Sequence, residues 1–317
     1  FSKKPKRPAA LIHTVKVSGS RPTHVHIRGD FKKKGLEVQP GTPAFLPKLS
    51  PRGDRPDRLD LARWIVDPNN PLTARVAVNH IWAQLFGQGL VRTTEDFGTQ
   101  GDPPTHPALL DWLASEFPRL NWSRKALVRL ILLSRTYQQS SRTRAELVRQ
   151  DPENRLLARQ HRFRLEAELV RDQYLTASGL LVRQVGGRSF RPPLPDSVTR
   201  VQFVNKWTAD SGETLLRRGL YIHLQRNLIL PMLMTFDRPE AILTCTRRDR
   251  SNTPLQALTL LNAPVFVESA HALAANIVAD ESLNDDSRIA QAFLRTVSRM
   301  PTSFERNRVK ELLAELT

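Results

Sequence analysis

Apolar residues follow two different periods along this chain, and the change comes near Leu59. Ahead of it, Thr23-His24-Val25-His26-Ile27-Arg28 alternates and predicts a short strand, with Thr23, Val25 and Ile27 on one face and Gly29-Asp30 closing it. Pro40, Gly41, Pro43, Pro47, Pro51, Gly53 and Pro56 then mark extended chain. From Leu59 onward the spacing is helical. Leu59–Val66 reads as a short helix stopped by Pro68, and Asn70-Pro71 as a cap and first position of a helix running to Phe86 before Gly87. Thr105-His106-Pro107 opens another, with Leu109, Leu110, Leu113 and Phe117 inward. Ser123 caps a third, carrying Leu127, Leu130, Ile131 and Tyr137.

Asp151-Pro152 reads as the start of a short helix, and Arg164 to Leu181 as the most periodic one, with Ala167, Val170, Tyr174, Ala177 and Leu181 in one stripe. Gly186-Gly187 and Pro192, Pro193 and Pro195 interrupt. Val198–Trp207 and Leu215–Leu224 are either two strands or an irregular excursion across the helices. Asn252-Thr253-Pro254 restarts the helical signal, which resumes after Pro264 as far as Val278. Leu255–Val267 is read as a buried helix ending. Ser287–Val297 follows, and Thr302-Ser303-Phe304-Glu305 is a capping box. The expected fold is mainly α: a multi-helix globular domain over 59–317, with a small β excursion. Residues 1–58 are expected to form a basic extended or β arm, or a junction from a preceding domain. Phe1 in place of an initiator Met, and the amphipathic run reaching Leu316, suggest a piece of a longer protein.

Charge sharpens this division. The formal net charge is +17, and residues 1–58 hold 14 Lys and Arg against 4 Asp and Glu, a net of +10. A field of that sign steers polyanions toward the chain without specifying one. Hydrophobic content of 40% suffices for a buried core. No run of about 18 apolar residues offers a membrane span. Cys245 is the single cysteine, so neither an internal disulfide nor a Cys-x-x-Cys-His haem attachment is available. No cofactor and no metal is expected in this chain.

The candidate chemistry is sparse. In the helix after Asn70, Arg75, Asn79, Trp82 and Phe86 share a stripe flanked by Ala74, Val78, Ile81 and Leu85. That arrangement makes either a polar pocket floored by aromatics or a buried Arg75–carboxylate clamp, with Asp96 or Asp111 as partner. Arg217-Arg218, Arg226 and Arg247-Arg248-Asp249-Arg250 precede the Asn252-Thr253-Pro254 helix start, where free amides and the helix dipole favour an anion. Asp96, Asp111 and His106 are the only acid–base candidates, and no nucleophile triad or close carboxylate pair is recognisable. Asp96-Phe97-Gly98 lacks the phosphate loop and strand lysine of a kinase. The two Arg-Gly-Asp tripeptides read as turns. His24 and His26 share a strand face, but a metal site there lacks a patterned third ligand, His13 being merely near.

Several ordered blocks resemble one family. These are Leu59-Asp60-Leu61-Ala62-Arg63-Trp64-Ile65, Asn70 to Val76, Val78-Asn79, Trp82, Phe86 to Val91, Asp96-Phe97-Gly98, His106-Pro107, Leu110 to Ala114 and Ser134 to Tyr137, then Arg217-Arg218, Phe236-Asp237 and Ser251 to Leu258. Together they are similar to the planctomycete-expanded domain-of-unknown-function family 1553. His80 and Gln138 depart from its pattern, which has Arg at each place, and its last helices are expected beyond Thr317. The resemblance implies an exported parent, periplasmic or at the cell surface, with upstream partner domains that include a haem-binding cytochrome-c-like one. It supplies no activity. The expected function is an accessory binding domain that engages an acidic or sulfated glycan through its arginines. An enzyme acting on such a glycan with Asp96, Asp111 or His106, and nucleic-acid binding by the basic arm, are the rival expectations.

Overall fold

Most of the described helices fall where apolar residues recur at helical spacing. The computed structural model describes residues 21–195, 198, 207–225, 228, 230–240 and 242–316. The fold is mainly α with one small sheet. The described chain divides into two units, residues 21–78 with 111–123 and residues 79–110 with 124–316.

The first unit opens with an antiparallel hairpin of β1 (Thr23–His26) and β2 (Lys34–Val38), with His24 opposite Glu37 and His26 opposite Lys34. The alternation marks only β1, because β2 carries Lys34, Gly35 and Glu37 and leaves only Leu36 and Val38 as apolar positions. Helix α1 (Arg58–Ile65) starts on a capping box, in which Asp57 receives the Leu59 and Asp60 amides and Asp60 receives that of Asp57. Arg52 bridges both carboxylates at 2.5 and 2.7 Å, and Trp64 Nε1 donates to the Pro47 carbonyl at 2.6 Å. These bonds tie the proline-rich segment to α1.

Helix α2 (Thr73–Phe86) begins later than the Asn70-Pro71 reading. Asn70 does not cap it: its side chain accepts the Leu72 amide at 3.1 Å in a turn ahead of the helix. Gly87, at φ 83°, ends α2. Helix α3 is Pro107–Arg119, and its Leu113, Ala114 and Phe117 are buried in the first unit.

In the second unit Asn79, on α2, is fully buried. Its amide pairs with both polar groups of the Val91 backbone at 2.9 Å. A Cβ on Gly89 would lie 2.5 Å from the Val91 oxygen and 2.7 Å from Asn79 Oδ1. Glycine is therefore required for the chain to pass this clamp. Helix α4 (Arg124–Leu132) buries Leu127 and Ile131 and leaves Leu130 exposed. Tyr137 lies beyond its end and meets Phe86 edge-on at 5.5 Å.

The helix expected at Asp151-Pro152 is absent. Helix α5 (Ala145–Gln150) ends just before it, and the Asp151 carboxylate accepts the Arg155 and Leu156 amides at 2.8 and 2.7 Å in a loop. Asn154 and Leu157 take positive φ there, which a helix cannot contain. Helix α6 (Ala167–Ala177) is shorter than its periodic stripe because Gly179, at φ 79°, turns the chain. Leu215–Leu224 is the irregular excursion: two 3-10 turns, Gly212–Leu216 and Gly219–Tyr221, with single parallel bridges Val182–Arg217 and Phe190–Ile222. Of the candidate strand Val198–Trp207, residues 199–206 lie outside the described residues, as do Lys3, Lys4, Lys6, Arg7, His13 and Arg226.

Helices α7 (Pro231–Thr235), α8 (Pro254–Asn262), α9 (Pro264–Val278), α10 (Asp285–Val297) and α11 (Ser303–Leu316) complete the described chain. Their core joins Val170, Phe190, Ile222, Leu233, Phe236 and Phe266. Leu255–Val267 is not a buried ending. Gln256 and Phe266 are buried, whereas Leu255, Leu258 and Leu261 are 59, 55 and 73% exposed. The Thr253 capping box turns Gln256 inward and thereby turns these leucines outward. No single described helix is long and apolar enough to cross a membrane.

Two expectations follow from this scaffold. Asn79→Ala orphans the buried Val91 amide and is expected to cost about 2–4 kcal/mol. A urea midpoint that does not move, for this variant or for Gly89→Ala, contradicts the clamp. Arg299, then the Thr302 amide, hold the Glu305 carboxyl down to about 2. Its contribution is complete above its ordinary value of 4.5 and is lost as pH falls toward about 2. Glu305→Gln should lose less melting temperature than the parent across that window.

Candidate functional site

The densest concentration of charge in the second unit lies where the Arg-rich segment 247–250 reaches the start of α8. Glu166, the residue before α6, and Glu168, in its first turn, stand where carboxylates are favoured by the helix dipole. Arg248 reaches Glu168 at 2.7 Å and Glu166 at 3.2 Å. Arg238 approaches Glu168 at 3.5 Å, and Arg250 approaches Glu166 at 4.0 Å while its guanidinium lies over the Phe163 ring at 4.6 Å. Burial opposes the charge on Arg248, but the Glu168 hydrogen bond and the two glutamates outweigh it and raise its pKa. For Arg238 burial prevails, and its pKa is lowered. Gly219 packs so closely that a Cβ there would stand 2.9 Å from Glu168 Cβ.

Beneath these pairs lies a buried polar node. Gln256 donates to the Thr235 carbonyl at 2.9 Å, to Ser251 Oγ at 3.1 Å and to Asp237 at 3.4 Å. Its oxygen accepts from the Thr253 amide at 3.2 Å and from Arg164. Asp237, at φ 60°, receives the Ser251 amide at 2.7 Å and the Ser251 hydroxyl at 2.8 Å. Arg164 also donates to Asn252 Oδ1 at 2.8 Å and sits over Phe236 at 5.4 Å. This is the physical content of Phe236-Asp237 and of the Ser251–Gln256 run: two segments distant in sequence complete each other's hydrogen bonds.

A second cluster centres on α6. Arg171 is buried and donates to the Leu215 carbonyl and, at 2.7 Å, to that of Arg217. Asp172 accepts the Gly219 amide at 2.6 Å and faces Arg218 Nε at 3.5 Å. Arg217 is itself buried, bonds the Gly186 and Arg188 carbonyls, and covers the Tyr221 ring at 4.0 Å. Sequence reading groups Arg217, Arg218, Arg247 and Arg248 as an anion site. The structure commits Arg217 to loop carbonyls, Arg218 to Asp172 and Arg248 to the glutamates. Arg247 is exposed.

Arg75 pairs with Asp111 at 2.7 Å rather than with Asp96, and also donates to the Pro71 carbonyl at 2.6 Å. The pair is not buried, since its side chains are 36 and 57% exposed. Trp82 is buried and stacked on Phe86 at 4.1 Å, so it packs the interior rather than lining an open pocket. Asn79 is consumed by Val91. Asp111 belongs to the first unit, whereas Asp96 and His106 belong to the second. Asp96 lies exposed in a turn closed by Thr93, and His106 Nδ1 is 3.0 Å from Thr105 Oγ1. Among the described residues no three His, Cys, Asp or Glu side chains group to hold a metal, and His24 is half-buried while His26 is exposed. Glu166, Glu168, Arg164 and Arg238 are absent from the sequence-derived candidates. The one signal for them is two glutamates at the head of a strongly periodic helix in a chain rich in arginine.

A protein-family model described as PSD1, protein of unknown function (DUF1553), matches residues 57–313, and the chain belongs to that family. No curated protein and no solved structure matches it.

The two kinds of charged contact differ in their expected cost. Arg75→Ala removes a half-exposed pair and is expected to cost less than about 1 kcal/mol. Gln256→Leu leaves buried donors and acceptors unpaired and is expected to cost about 3 kcal/mol or more. Thermal melting of both variants checks the order, and a larger loss for Arg75→Ala reverses it.

Proposed function

We propose that this PSD1-family chain is a binding module of an exported multidomain protein, one that engages an acidic polymer rather than transforming it. The observation that carries the reading is the charge balance around the start of α8. Glu166, Glu168 and Asp237 are already matched by Arg248, Arg238, Ser251 and Gln256, while Arg247, next in the chain to Arg248, stands exposed and faces Glu95. An exposed guanidinium next to a segment whose other charges are already paired offers an anion a planar, multi-donor partner. The same commitment argues against proton chemistry at this place. A general base drawn from these carboxylates would have to give up bonds that hold α6, α8 and the 237–251 segment.

The polymer we favour is a uronic-acid or sulfated glycan. Planar carboxylates and sulfates suit guanidinium recognition, and the family resemblance points to a periplasmic or cell-surface parent beside a cytochrome-c-like domain. Polygalacturonate, heparin and duplex DNA, each titrated against the chain over a salt series, test this. We expect the glycans to bind, and Arg247→Glu to weaken them about tenfold with a shallower salt dependence. Equal binding of all three polymers, unaffected by Arg247→Glu, assigns the interaction to diffuse charge and overturns the reading.

A further inference from the structure

Apart from the arginine cluster, the second unit contains a cavity of about 450 Å³. Val170, Tyr174 and Ala177 line it from α6, Leu260 from α8, Leu273 from α9 and Val297 from the end of α10. The volume falls within the ~300–1,000 Å³ typical of small-molecule sites, which are mostly apolar with a few polar groups that fix orientation. Arg164 is the one charged residue among those lining it, with no Asp, Glu, Lys or His beside it.

The guanidinium is held in place without being fully used. Arg164 Nη1 donates to Asn252 at 2.8 Å and to Gln256, which fixes the head group. Among the described residues, Nε, Nη2 and the Tyr174 hydroxyl have no protein partner and are not buried orphans, so they remain open to solvent, and the Tyr174 ring is pinned edge-on against Phe266 at 4.6 Å. The site thus pairs mostly apolar walls with one oriented cation, the Tyr174 hydroxyl and Gln173, while Ser269 and Thr296 on its lining donate their hydroxyls to carbonyls of their own helices. A sugar polymer does not suit such walls, because its hydroxyls would lose water without finding partners. A cationic ligand would face Arg164 with no compensating carboxylate. An uncharged hydrocarbon would leave two guanidinium nitrogens unused.

We infer that this cavity binds a free, single-headed amphiphile, a carboxylate on a medium-length acyl chain. The carboxylate accepts from Arg164 and Tyr174, and the chain lies along Leu260, Leu273 and Val297. Charge complementarity chooses the head group, and the apolar lining chooses the tail. This site is separate in chemistry from the polymer surface at Arg247.

Calorimetric titration of the full chain with decanoate, decanol and decyltrimethylammonium tests the assignment. Decanoate is expected to bind saturably, about tenfold more tightly than decanol, as one charge-assisted hydrogen bond supplies. The ammonium amphiphile is expected not to bind. Ala270→Trp fills the cavity from an exposed position on α9 and should abolish decanoate binding at an unchanged melting temperature. Arg164→Gln should bring decanoate down to the affinity of decanol. Because that variant also disturbs Gln256, a failure of it to fold leaves the decision with the parent titrations and Ala270→Trp. Decanol or the ammonium binding as tightly as decanoate, or decanoate binding that survives Ala270→Trp, overturns the proposal. Polymer binding dependent on Arg247 stands or falls on its own measurement.

Discussion

A polar group removed from water must find another partner, and the second unit is organised around that requirement more than around apolar packing. Gln256 sits at the third position of α8 with no solvent contact. Five groups converge on its amide: Thr235, Asp237, Ser251, Thr253 and Arg164. A node satisfied to this degree contributes because every alternative arrangement leaves several of its members unpaired. It sets where α8 starts, holds the end of α7, and fixes the guanidinium that edges the cavity. Arg171 and Arg217 do the same for two described loop segments, donating to the carbonyls of Leu215 and Arg217 and to those of Gly186 and Arg188.

This accounts for part of the arginine in the chain, while Arg124, Arg135, Arg149 and Arg183 stand exposed. A composition of +17 suggests an open basic face. The structure spends Arg171 and Arg217 inside, where the planar, five-donor group bridges several acceptors at once, and commits the partly exposed Arg248 to Glu166 and Glu168. Arg247 is left outward. The first unit uses the same device at lower stakes, with Arg52 joining Asp57 and Asp60 at the start of α1.

The mainly helical fold was legible because helix starts have local causes. Thr253 and Thr302 act as capping residues where the pattern places them, whereas the Asn70 side chain closes a turn ahead of α2. What the pattern missed has tertiary causes. Asp151-Pro152 carries the composition of a helix start, yet its carboxylate serves a loop whose shape depends on Asn154, buried against Arg159 and His161. The leucines of α8 have helical spacing, but spacing alone does not say which face turns inward. A single glutamine decides it. The choice between Asp96 and Asp111 for Arg75 was open for the same reason, since both lie at plausible separations along the chain and only the folded path selects one. Glu166 and Glu168 looked like ordinary first-turn carboxylates, and their role follows from arginines about 80 residues away.

The geometry at Asp237 narrows the residues that position can hold to almost one. Its backbone occupies the left-handed region, which suits glycine, asparagine and aspartate. Its side chain meets an amide, a hydroxyl and a carboxamide N–H, all donors, so only a group with acceptors on every side serves. Glycine meets the first demand and offers nothing to the second. Asparagine meets the first and would present an NH₂ to a donor. Aspartate alone passes both filters, so two unrelated physical tests, one torsional and one electrostatic, intersect on a single letter of the chain.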